Sequence, residues 1–228
     1  MEARFFNLAS IKFIRRKKMI ELRSLRDLNA NLWVFDCDGV IYKNVKEAEK
    51  EVVDKMIQFI ALRYGCNFEK AIFTRKELLR KHDVSHSITA LIYEGFNEQE
   101  ILNKTYFAIN LKELGIMPSL EIQDLFASLS GQKAVLTNNH EEFAKAVLNQ
   151  LGVLGHFSAI YGISKLGRIQ KPDLRAFQAI QDAVGIYEGI VFIDDKVKNI
   201  IAAANFGWTT ILLGSSDEYD GFWLPKLR

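Results

Sequence analysis

Two aspartates, Asp36 and Asp38, directly follow a short apolar run and are the side chains of this sequence best suited to chemistry. The run, Leu32 to Phe35, has the length and residue types of a strand buried on both faces of a parallel sheet. Ligands of open α/β sheets bind beyond the carboxyl ends of the strands, where Asp36 is expected. If the backbone stays extended, Asp38 points the same way, and Gly39 then allows a sharp turn. Two carboxylates this close need a cation or a shared proton, which favours a metal site.

Later strand ends are predicted to carry further polar groups. These are Thr137 and Asn138, then Asp194 and Asp195, while Lys171 stands just before a helix. On a parallel sheet all of them lie at one edge, where they would suit phosphoryl transfer. Mg²⁺ held by Asp36 and Asp194 would offset the charge of a phosphate ester, and Lys171 would add a second positive charge. The Thr137 hydroxyl and nearby backbone N–H groups could bind a phosphoryl oxygen.

Helical patterns follow the first predicted strand. Apolar residues recur at helical spacing from 45 to 60, Asn67 and Asn97 are suitable helix caps, and 87–93 has the pattern of a short helix. The segment 44–118 is therefore predicted to be a smaller helical cap domain, inserted after the first strand.

Strands and helices alternate after residue 118. The predicted elements are a helix from Ser119 to Leu129, a strand at Lys133–Leu136, a helix at 140–151, a strand at Ala159–Ile163, a helix from Pro172 to Val184, a strand at Ile190–Ile193, a helix at 196–205 and a last strand at Thr209–Leu213. This alternation predicts an α/β fold with a doubly wound parallel sheet, a Rossmann-like core made of 21–43 and 119–228.

Composition excludes several classes of protein. The 228 residues are 49% hydrophobic and 25% charged, as in soluble globular proteins, and the net charge of +2 gives no reason to expect a nucleic acid polymer as partner. No apolar run is long enough to span a membrane. Cys37 and Cys66 form no disulfide framework, which favours the cytoplasm. Residues 1–20 are basic and are expected to be a flexible extension, with a transit peptide as the alternative.

The motifs, taken together, resemble those of the haloacid dehalogenase-like superfamily of phosphohydrolases. The four matching stretches are Asp36-Cys37-Asp38-Gly39-Val40, Leu136-Thr137-Asn138, Lys171-Pro172-Asp173 and Phe192-Ile193-Asp194-Asp195. Each motif alone has a plainer explanation, since Asp-x-Asp-Gly occurs in calcium loops and the other residues could be helix caps or surface charges. Their shared order at successive strand ends favours the family.

The resemblance implies a role for each motif residue. Asp36 would be the nucleophile that forms an aspartyl-phosphate, and Asp38 the general acid and then base. Thr137, Asn138 and Lys171 would bind the phosphoryl group. Mg²⁺ would be held by Asp36, the Asp38 carbonyl and Asp194, with support from Asp195. Dehalogenases of the superfamily lack the second acid, so Asp38 favours phosphate chemistry. Lys196 departs from the small polar residues common after the paired aspartates.

The predicted function is Mg²⁺-dependent hydrolysis of a small phosphorylated metabolite. The cap also resembles that of pyrimidine 5′-nucleotidase-like members, so a nucleoside monophosphate is the first candidate substrate, followed by phosphoglycolate or a sugar phosphate. A sugar phosphomutase with the same first step is the alternative enzyme. A phosphate-binding or scaffold protein without turnover is the alternative of another class. Oligomeric state is left open.

Several other features are interpreted as structural. Cys37 is assigned to the core, and His82 and His86 are not expected to bind a metal because a helix boundary separates them. The basic cluster of the cap could face the active site, but a solvated surface is the simpler interpretation. Its members are Arg75, Lys76, Arg80 and Lys81. Four aromatic residues that could stack on a base are assigned to the core instead: Tyr93, Phe96, Tyr106 and Phe107.

Overall fold

Seven parallel strands form one sheet in the part of the chain that this computed structural model describes, residues 20–21, 24–167, 169–214 and 222–224. The strands are β1 (Ile20–Glu21), β2 (Leu32–Phe35), β3 (Gln132–Leu136), β4 (Ala159–Tyr161), β5 (Ile190–Asp194), β6 (Thr209–Leu213) and β7 (Phe222–Leu224). Their order across the sheet is β1-β7-β6-β5-β2-β3-β4. The predicted basic extension, residues 1–20, lies outside the described residues except for Ile20.

Strand β2 lies at the switch point of the sheet. It pairs with β3 on one side and with β5 on the other. From β2 the chain moves outward through β3 and β4, and it then returns to build β5, β6 and β7 on the opposite side. Loops at the carboxyl ends of such neighbouring strands diverge and leave a crevice between them. The predicted doubly wound α/β fold is confirmed, and Asp36 follows β2 at this crevice.

Alternate side chains of β2 enter two hydrophobic clusters, so both faces of the strand are buried. Leu32 and Val34 pack on the face covered by the helices Leu174–Val184 and Val197–Asn205, whereas Trp33 and Phe35 pack on the other. Phe35 contacts Phe126 edge-to-face, with their ring centroids 5.2 Å apart. A strand buried on both faces is held rigidly, which fixes the backbone that delivers Asp36.

The α-helices of the described residues flank the sheet or follow β2. They are α1 (Val45–Tyr64), α2 (Phe68–His82), α3 (Ser87–Tyr93), α4 (Glu98–Lys104), α5 (Leu120–Ser128), α6 (Glu141–Gln150), α7 (Ile163–Leu166), α8 (Leu174–Val184) and α9 (Val197–Asn205). The two predicted caps are confirmed: Asn67 Oδ1 accepts from Lys70 N, and Asn97 Oδ1 accepts from Glu100 N. None of these helices combines the length and apolarity needed to cross a bilayer.

Helices α1 to α4 pack on one another and share a hydrophobic cluster with β2. Met56, Ile60, Leu91 and Ile101 belong to the same hydrophobic cluster as Phe35. This shared cluster fixes the helices beside the carboxyl edge of the sheet. The division into a core and a cap at 44–118 stays a prediction.

The structure corrects three predicted boundaries. Helix α8 does not begin at Pro172: Asp173 caps it by accepting the Arg175 N–H at 2.9 Å, which a proline side chain cannot do. Strand β4 ends before Ile163, which begins α7. Two short strands were missed, β1 at the edge of the sheet and β7 between β1 and β6, so Thr209–Leu213 is not the last strand. Strands of two or three residues are too short to show periodicity.

Candidate active site

Asp36 lies at the end of β2 and is 6% exposed. Its N–H donates to Ile193 O at 2.9 Å, which continues the pairing of β2 with β5 one residue beyond the strand. Its Oδ1 accepts the Cys37 N–H at 2.7 Å and lies 3.0 Å from Lys171 Nζ. The Cys37 side chain is buried in the hydrophobic cluster, as predicted. The carboxylate is therefore held in place before any ligand binds.

Asp38 lies in a tight turn that begins directly after the strand. Ile41 N donates to Cys37 O at 3.0 Å, and Gly39 N donates to Tyr42 O at 3.0 Å. The backbone therefore turns from Cys37 onward and does not stay extended through Asp38. The side chains of Asp36 and Asp38 nevertheless line the same cavity.

Both carboxylate oxygens of Asp38 accept hydrogen bonds from hydroxyl groups. Thr137 Oγ1 donates to Oδ2 at 3.1 Å, and the Tyr42 hydroxyl donates to Oδ1. Burial, and then the charge of Asp38, raise the pKa of Tyr42 far above its ordinary value, so the phenol stays protonated and remains a donor. Thr137 is itself held because its Oγ1 accepts Asn139 N–H at 3.0 Å.

Asn138 holds the backbone of Lys171. Its Oδ1 accepts the Lys171 N–H at 2.8 Å, and its Nδ2 donates to Lys171 O at 2.9 Å. The geometry gives Asn138 a positioning role for Lys171. The predicted binding of phosphate by Asn138 itself stays a prediction.

Lys171 bridges two buried carboxylates. Its Nζ lies 2.7 Å from Asp194 Oδ2 and 3.0 Å from Asp36 Oδ1. Burial alone would lower the pKa of Lys171, but the charges of Asp194 and Asp36 outweigh it and raise the pKa above its ordinary value. Lys171 is therefore a permanent cation at the base of the site.

Asp194 and Asp195 differ in how their oxygens are satisfied. Asp194 is fully buried and accepts from Lys171 Nζ, from Lys196 N at 2.8 Å and from Asn199 Nδ2 at 3.0 and 3.1 Å. Asp195 Oδ2 pairs with Lys196 Nζ at 2.8 Å, whereas its buried Oδ1 has no hydrogen-bond partner among the described residues. A buried carboxylate oxygen without a donor is a reason to expect a cation.

Gly39 is required where the turn passes Asp195. Its φ is +83°, and a Cβ at this position would lie 2.5 Å from Asp195 Oδ2. Any other residue would be strained and would push Asp195 away. The first and fourth motifs therefore meet through this glycine.

The carboxylates of Asp36, Asp194 and Asp195 fit a divalent cation. One oxygen from each lies within 4.8 Å of the others. Burial raises the pKa of Asp36, and the charges of Asp194 and Asp38 raise it further against the lowering effect of Lys171, so a cation among these groups would relieve their repulsion. A set of carboxylate oxygens suits Mg²⁺. The Asp38 carboxylate is not part of this group. That its backbone carbonyl would serve as a ligand stays a prediction.

A cavity of about 500 Å³ opens over the strand ends and below α1, α2 and α3. Its base includes Asp36, Asp38 and Asn138. Its walls are formed by the following residues: Val45, Glu49, Val52, Val53, Met56, Arg75, Ser85, His86, Ser87, Tyr106, Asn139, Gln170, Lys196, Lys198 and Asn199. Three predicted site residues, Asp36, Asp38 and Asn138, thus face a space large enough for a small metabolite. Four others do not line it, although they contact these residues or one another: Thr137, Lys171, Asp194 and Asp195.

Two residues of the site, Tyr42 and Asn199, were not found from the sequence; Tyr42 binds Asp38 and Asn199 binds Asp194. Two others were considered but given no place in the site: Arg75 was assigned to a solvated surface and His86 was rejected as a metal ligand, yet both line the cavity. An asparagine in the first turn of the helix after paired aspartates is a signal that could have indicated Asn199. The other three come from a turn and from helices whose orientation the sequence does not fix.

The structure places the histidines, the basic cluster and the aromatic residues of the helical segment in different environments. His82 pairs with Glu94 at 2.5 Å, away from His86, whose Nδ1 lies near Ser85 and Gln170. In the basic cluster, Arg80 and Lys81 pair with surface acids and Lys76 is exposed, so only Arg75 faces the cavity. Phe96 packs against the core, as predicted, and Tyr106 is both buried and part of the cavity wall, whereas Tyr93 and Phe107 are exposed.

A family model described as haloacid dehalogenase-like hydrolase matches residues 31–207. The chain belongs to this family. The matched range contains all four motifs and every predicted site residue. No curated protein sequence gives a significant match.

Solved structures of the same superfamily share the fold. An HAD phosphatase from Thermococcus onnurineus is 14% identical, with 87% of this chain and 94% of that chain covered and a TM-score of 0.56. A subfamily IA HAD hydrolase from Geobacter sulfurreducens is 16% identical, with coverages of 86% and 95% and a TM-score of 0.56. A 2-haloacid dehalogenase from Pseudomonas syringae is 17% identical, with coverages of 86% and 94% and a TM-score of 0.58. At these identities the likeness concerns the fold, and phosphatases and dehalogenases share it.

Proposed function

We propose that this hydrolase is a Mg²⁺-dependent phosphomonoesterase that acts on a small phosphorylated metabolite. One observation carries the proposal: Asp36 and Asp38 line the same cavity, with Lys171 Nζ 3.0 Å from Asp36 and the Thr137 hydroxyl 3.1 Å from Asp38. This arrangement supplies a nucleophile and a proton carrier at the cavity, with a cation in direct contact with the nucleophile.

Asp36 is the nucleophile of the first step. Its carboxylate oxygen attacks phosphorus, the bond from phosphorus to the leaving oxygen breaks, and protonated Asp38 gives its proton to that oxygen. Asp36 then carries an aspartyl-phosphate and Asp38 is a carboxylate. In the second step Asp38 takes a proton from water, the water oxygen attacks phosphorus, and inorganic phosphate leaves with Asp36 restored.

Lys171 and Thr137 prepare the site for the charge of the substrate. The ammonium group of Lys171 offsets the repulsion between Asp36 and the incoming phosphate. Thr137 orients Asp38 and offers its hydroxyl to the phosphoryl group. Asp36, Asp194, Asp195 and the Asp38 carbonyl would hold Mg²⁺, which supplies further positive charge against the phosphoryl oxygens when bound.

Asp38 distinguishes phosphate hydrolysis from dehalogenation. Halide needs no proton to leave, whereas an alkoxide leaving group does, so a second acid in the first motif has a use in phosphate ester cleavage. The hydrogen bonds from Thr137 and Tyr42 aim this acid into the cavity. Asp38 therefore supports the phosphatase branch of the family, where the fold by itself favours neither.

A nucleoside monophosphate is the first candidate substrate, with phosphoglycolate and sugar phosphates next. A sugar phosphomutase would use the same aspartyl-phosphate and return the phosphoryl group to the sugar. A chain that binds a phosphate ligand without turnover is the remaining alternative. The proposal also includes a cytoplasmic location, which cell fractionation would test.

Phosphate release from a panel of metabolites, with Mg²⁺ or with a chelator, tests these alternatives together. The wild-type chain should release phosphate only with the metal, and Asp36→Asn should reduce the rate by about a thousandfold or more. Asp124→Asn, the same change at an exposed residue of α5, is the control and should keep the wild-type rate. Full activity of Asp36→Asn, or no need for Mg²⁺, would contradict the mechanism. Product analysis with a bisphosphorylated sugar separates mutase from phosphatase.

A further inference from the structure

Arg75 is a cation of the cavity wall that the proposed phosphate chemistry does not use. It lies in the middle of α2 and is half-buried. Its Nε donates to Ser87 Oγ, at the start of α3, over 2.7 Å. This bond joins the two helices and fixes the guanidinium plane at the cavity.

No carboxylate of the described residues forms an ion pair with Arg75. Glu49 also lines the cavity, but it is exposed on α1 and is not paired with Arg75. Burial lowers the pKa of Arg75 from its ordinary value, and no acidic neighbour opposes this effect. A partly desolvated guanidinium is costly unless an acceptor reaches it, and its remaining N–H groups match the two oxygens of an oxyanion.

Arg75 faces the same cavity as Asp38. His86 lines this cavity too. Burial lowers the pKa of His86, the charges of His140 and Arg75 lower it further, and the charge of Asp38 acts in the opposite direction. The wall of the same cavity also carries the apolar side chains of Val52, Val53 and Met56 from α1. The cavity therefore offers apolar surface as well as the polar groups of Asp36, Asp38 and Arg75.

We propose that Arg75 is a specificity-determining residue that binds a second oxyanion on the leaving group of the substrate. The phosphate ester lies at Asp36 and Lys171, the carbon skeleton lies along the apolar surface, and the second oxyanion accepts hydrogen bonds from the guanidinium of Arg75. The substrate class is then a small phosphomonoester with a carboxylate or a second phosphate. This inference rests on the proposed function and selects among its candidates: phosphoglycolate and bisphosphorylated sugars carry such a group, and nucleoside monophosphates do not.

Matched pairs of esters test the inference. 3-Phosphoglycerate and glycerol 3-phosphate share a three-carbon skeleton and differ in a carboxylate against a hydroxymethyl group, and glucose 1,6-bisphosphate is compared with glucose 6-phosphate. Uridine monophosphate represents the nucleotides. The wild-type chain should show the higher kcat/KM for the member of a pair with the second oxyanion, and the pair with the larger ratio identifies carboxylate or phosphate.

Arg75→Gln should lower kcat/KM for the favoured ester on the order of ten- to a hundredfold, chiefly through KM, because a charge-assisted pair is lost. The ester without the second oxyanion should change less than about threefold. Lys76→Gln removes a positive charge from the exposed face of the same helix and should leave both esters unchanged. Arg75→Lys keeps the charge, guards against loss of folding, and should recover part of the preference.

A structural role for Arg75 predicts a different result. If the bond to Ser87 were its only function, Arg75→Gln and Ser87→Ala would change all esters equally and would lower the melting temperature alike. That outcome, or a wild-type preference for uridine monophosphate that Arg75→Gln leaves intact, would overturn the inference.

Binding to the Asp36→Asn variant separates this inference from the proposed function. Calorimetry on Asp36→Asn, with and without Arg75→Gln, measures affinity for 3-phosphoglycerate and glycerol 3-phosphate without turnover. Tighter binding of the carboxylate ester that is lost with Arg75 supports the inference even if the wild-type chain releases no phosphate. The same measurement on glucose 1,6-bisphosphate and glucose 6-phosphate covers a second phosphate. Equal affinities within both pairs, or no binding of any of these esters, would refute the inference, whereas absent turnover alone refutes only the phosphatase assignment.

Discussion

The two ends of the cavity are built in opposite ways. At the strand ends, Lys171 lies within 3.0 Å of two carboxylates, and Asp38 accepts hydrogen bonds on both oxygens. On the helical side, Arg75 of α2 has one hydrogen bond and no acidic partner among the residues described. Charges compensated within the chain keep a fixed geometry before the substrate arrives, as chemistry requires. A cation without a partner in the chain offers its interaction to a ligand, which gives selectivity.

The largest expected effect is on the free energy of unfolding, and it separates the removal of Lys171 from the removal of Arg75. Lys171→Met leaves Asp36 and Asp194 buried without their counter-charge and should lower the free energy of unfolding by roughly 3–5 kcal/mol. Arg75→Met leaves no buried acid unpaired and should cost less than about 1 kcal/mol. Urea unfolding without added metal measures both. Equal losses in the free energy of unfolding for Lys171→Met and Arg75→Met would contradict the contrast between the two ends. Lys145→Met is the control, since it removes only a surface ion pair with Glu142.

Asp38→Asn should slow phosphate release from alkyl esters by about a hundred- to ten-thousandfold, the usual range for a general acid–base group. With p-nitrophenyl phosphate the leaving group needs no proton, so the first step should persist and the aspartyl-phosphate should accumulate. Rapid-mixing kinetics should then show a burst of nitrophenolate, and the intact mass should rise by one phosphoryl group. A chain that stays unmodified would argue against Asp38 as the base for water.

Tyr42→Phe should have a smaller effect at the same end of the cavity. The substitution removes one of the two hydroxyl donors to Asp38 but leaves Thr137 in place. The loss of one hydrogen bond, ~1 kcal/mol, corresponds to a kcat about fivefold lower. Steady-state kinetics measures it against Tyr187→Phe, which removes an exposed hydroxyl that binds Asp182. No change in kcat would mean that Thr137 alone orients Asp38.

The smallest effect concerns acid stability beside the third motif. Hydrogen bonds from the Arg175 side chain and then from its backbone lower the pKa of Asp173 from 3.8 to about 2. Since the folded pKa is the lower one, the carboxylate stabilises the folded chain above about pH 4, and this contribution disappears as the pH falls towards 2. Asp173→Asn keeps a capping side chain but does not titrate. Unfolding followed from pH 5 to pH 2 should therefore show a slightly flatter pH dependence for the variant.

The sheet and its polar strand ends could be predicted because they depend on local sequence. The apolar runs that became β2, β3 and β5 are short and continuous, and the parallel arrangement places Asp36, Thr137 and Asp194 at one edge. The helix caps Asn67 and Asn97 could be predicted for the same reason. The short strands β1 and β7 could not be predicted, since strands of two and three residues show no periodicity. The start of α8 was also missed, because Asp173 is the cap and the helix begins after it.

The sequence by itself determined the fold class and which residues meet at the carboxyl edge, because strand direction and side-chain type are local properties. Tertiary structure alone decided that Tyr42 reaches Asp38, that Asn138 holds Lys171, and that one arginine of a basic cluster faces inward. A helix presents its charges on all sides, and only its packing against neighbouring helices selects the side that faces the cavity. Arg75 and its surface neighbours are equivalent in sequence, and the fold separates them.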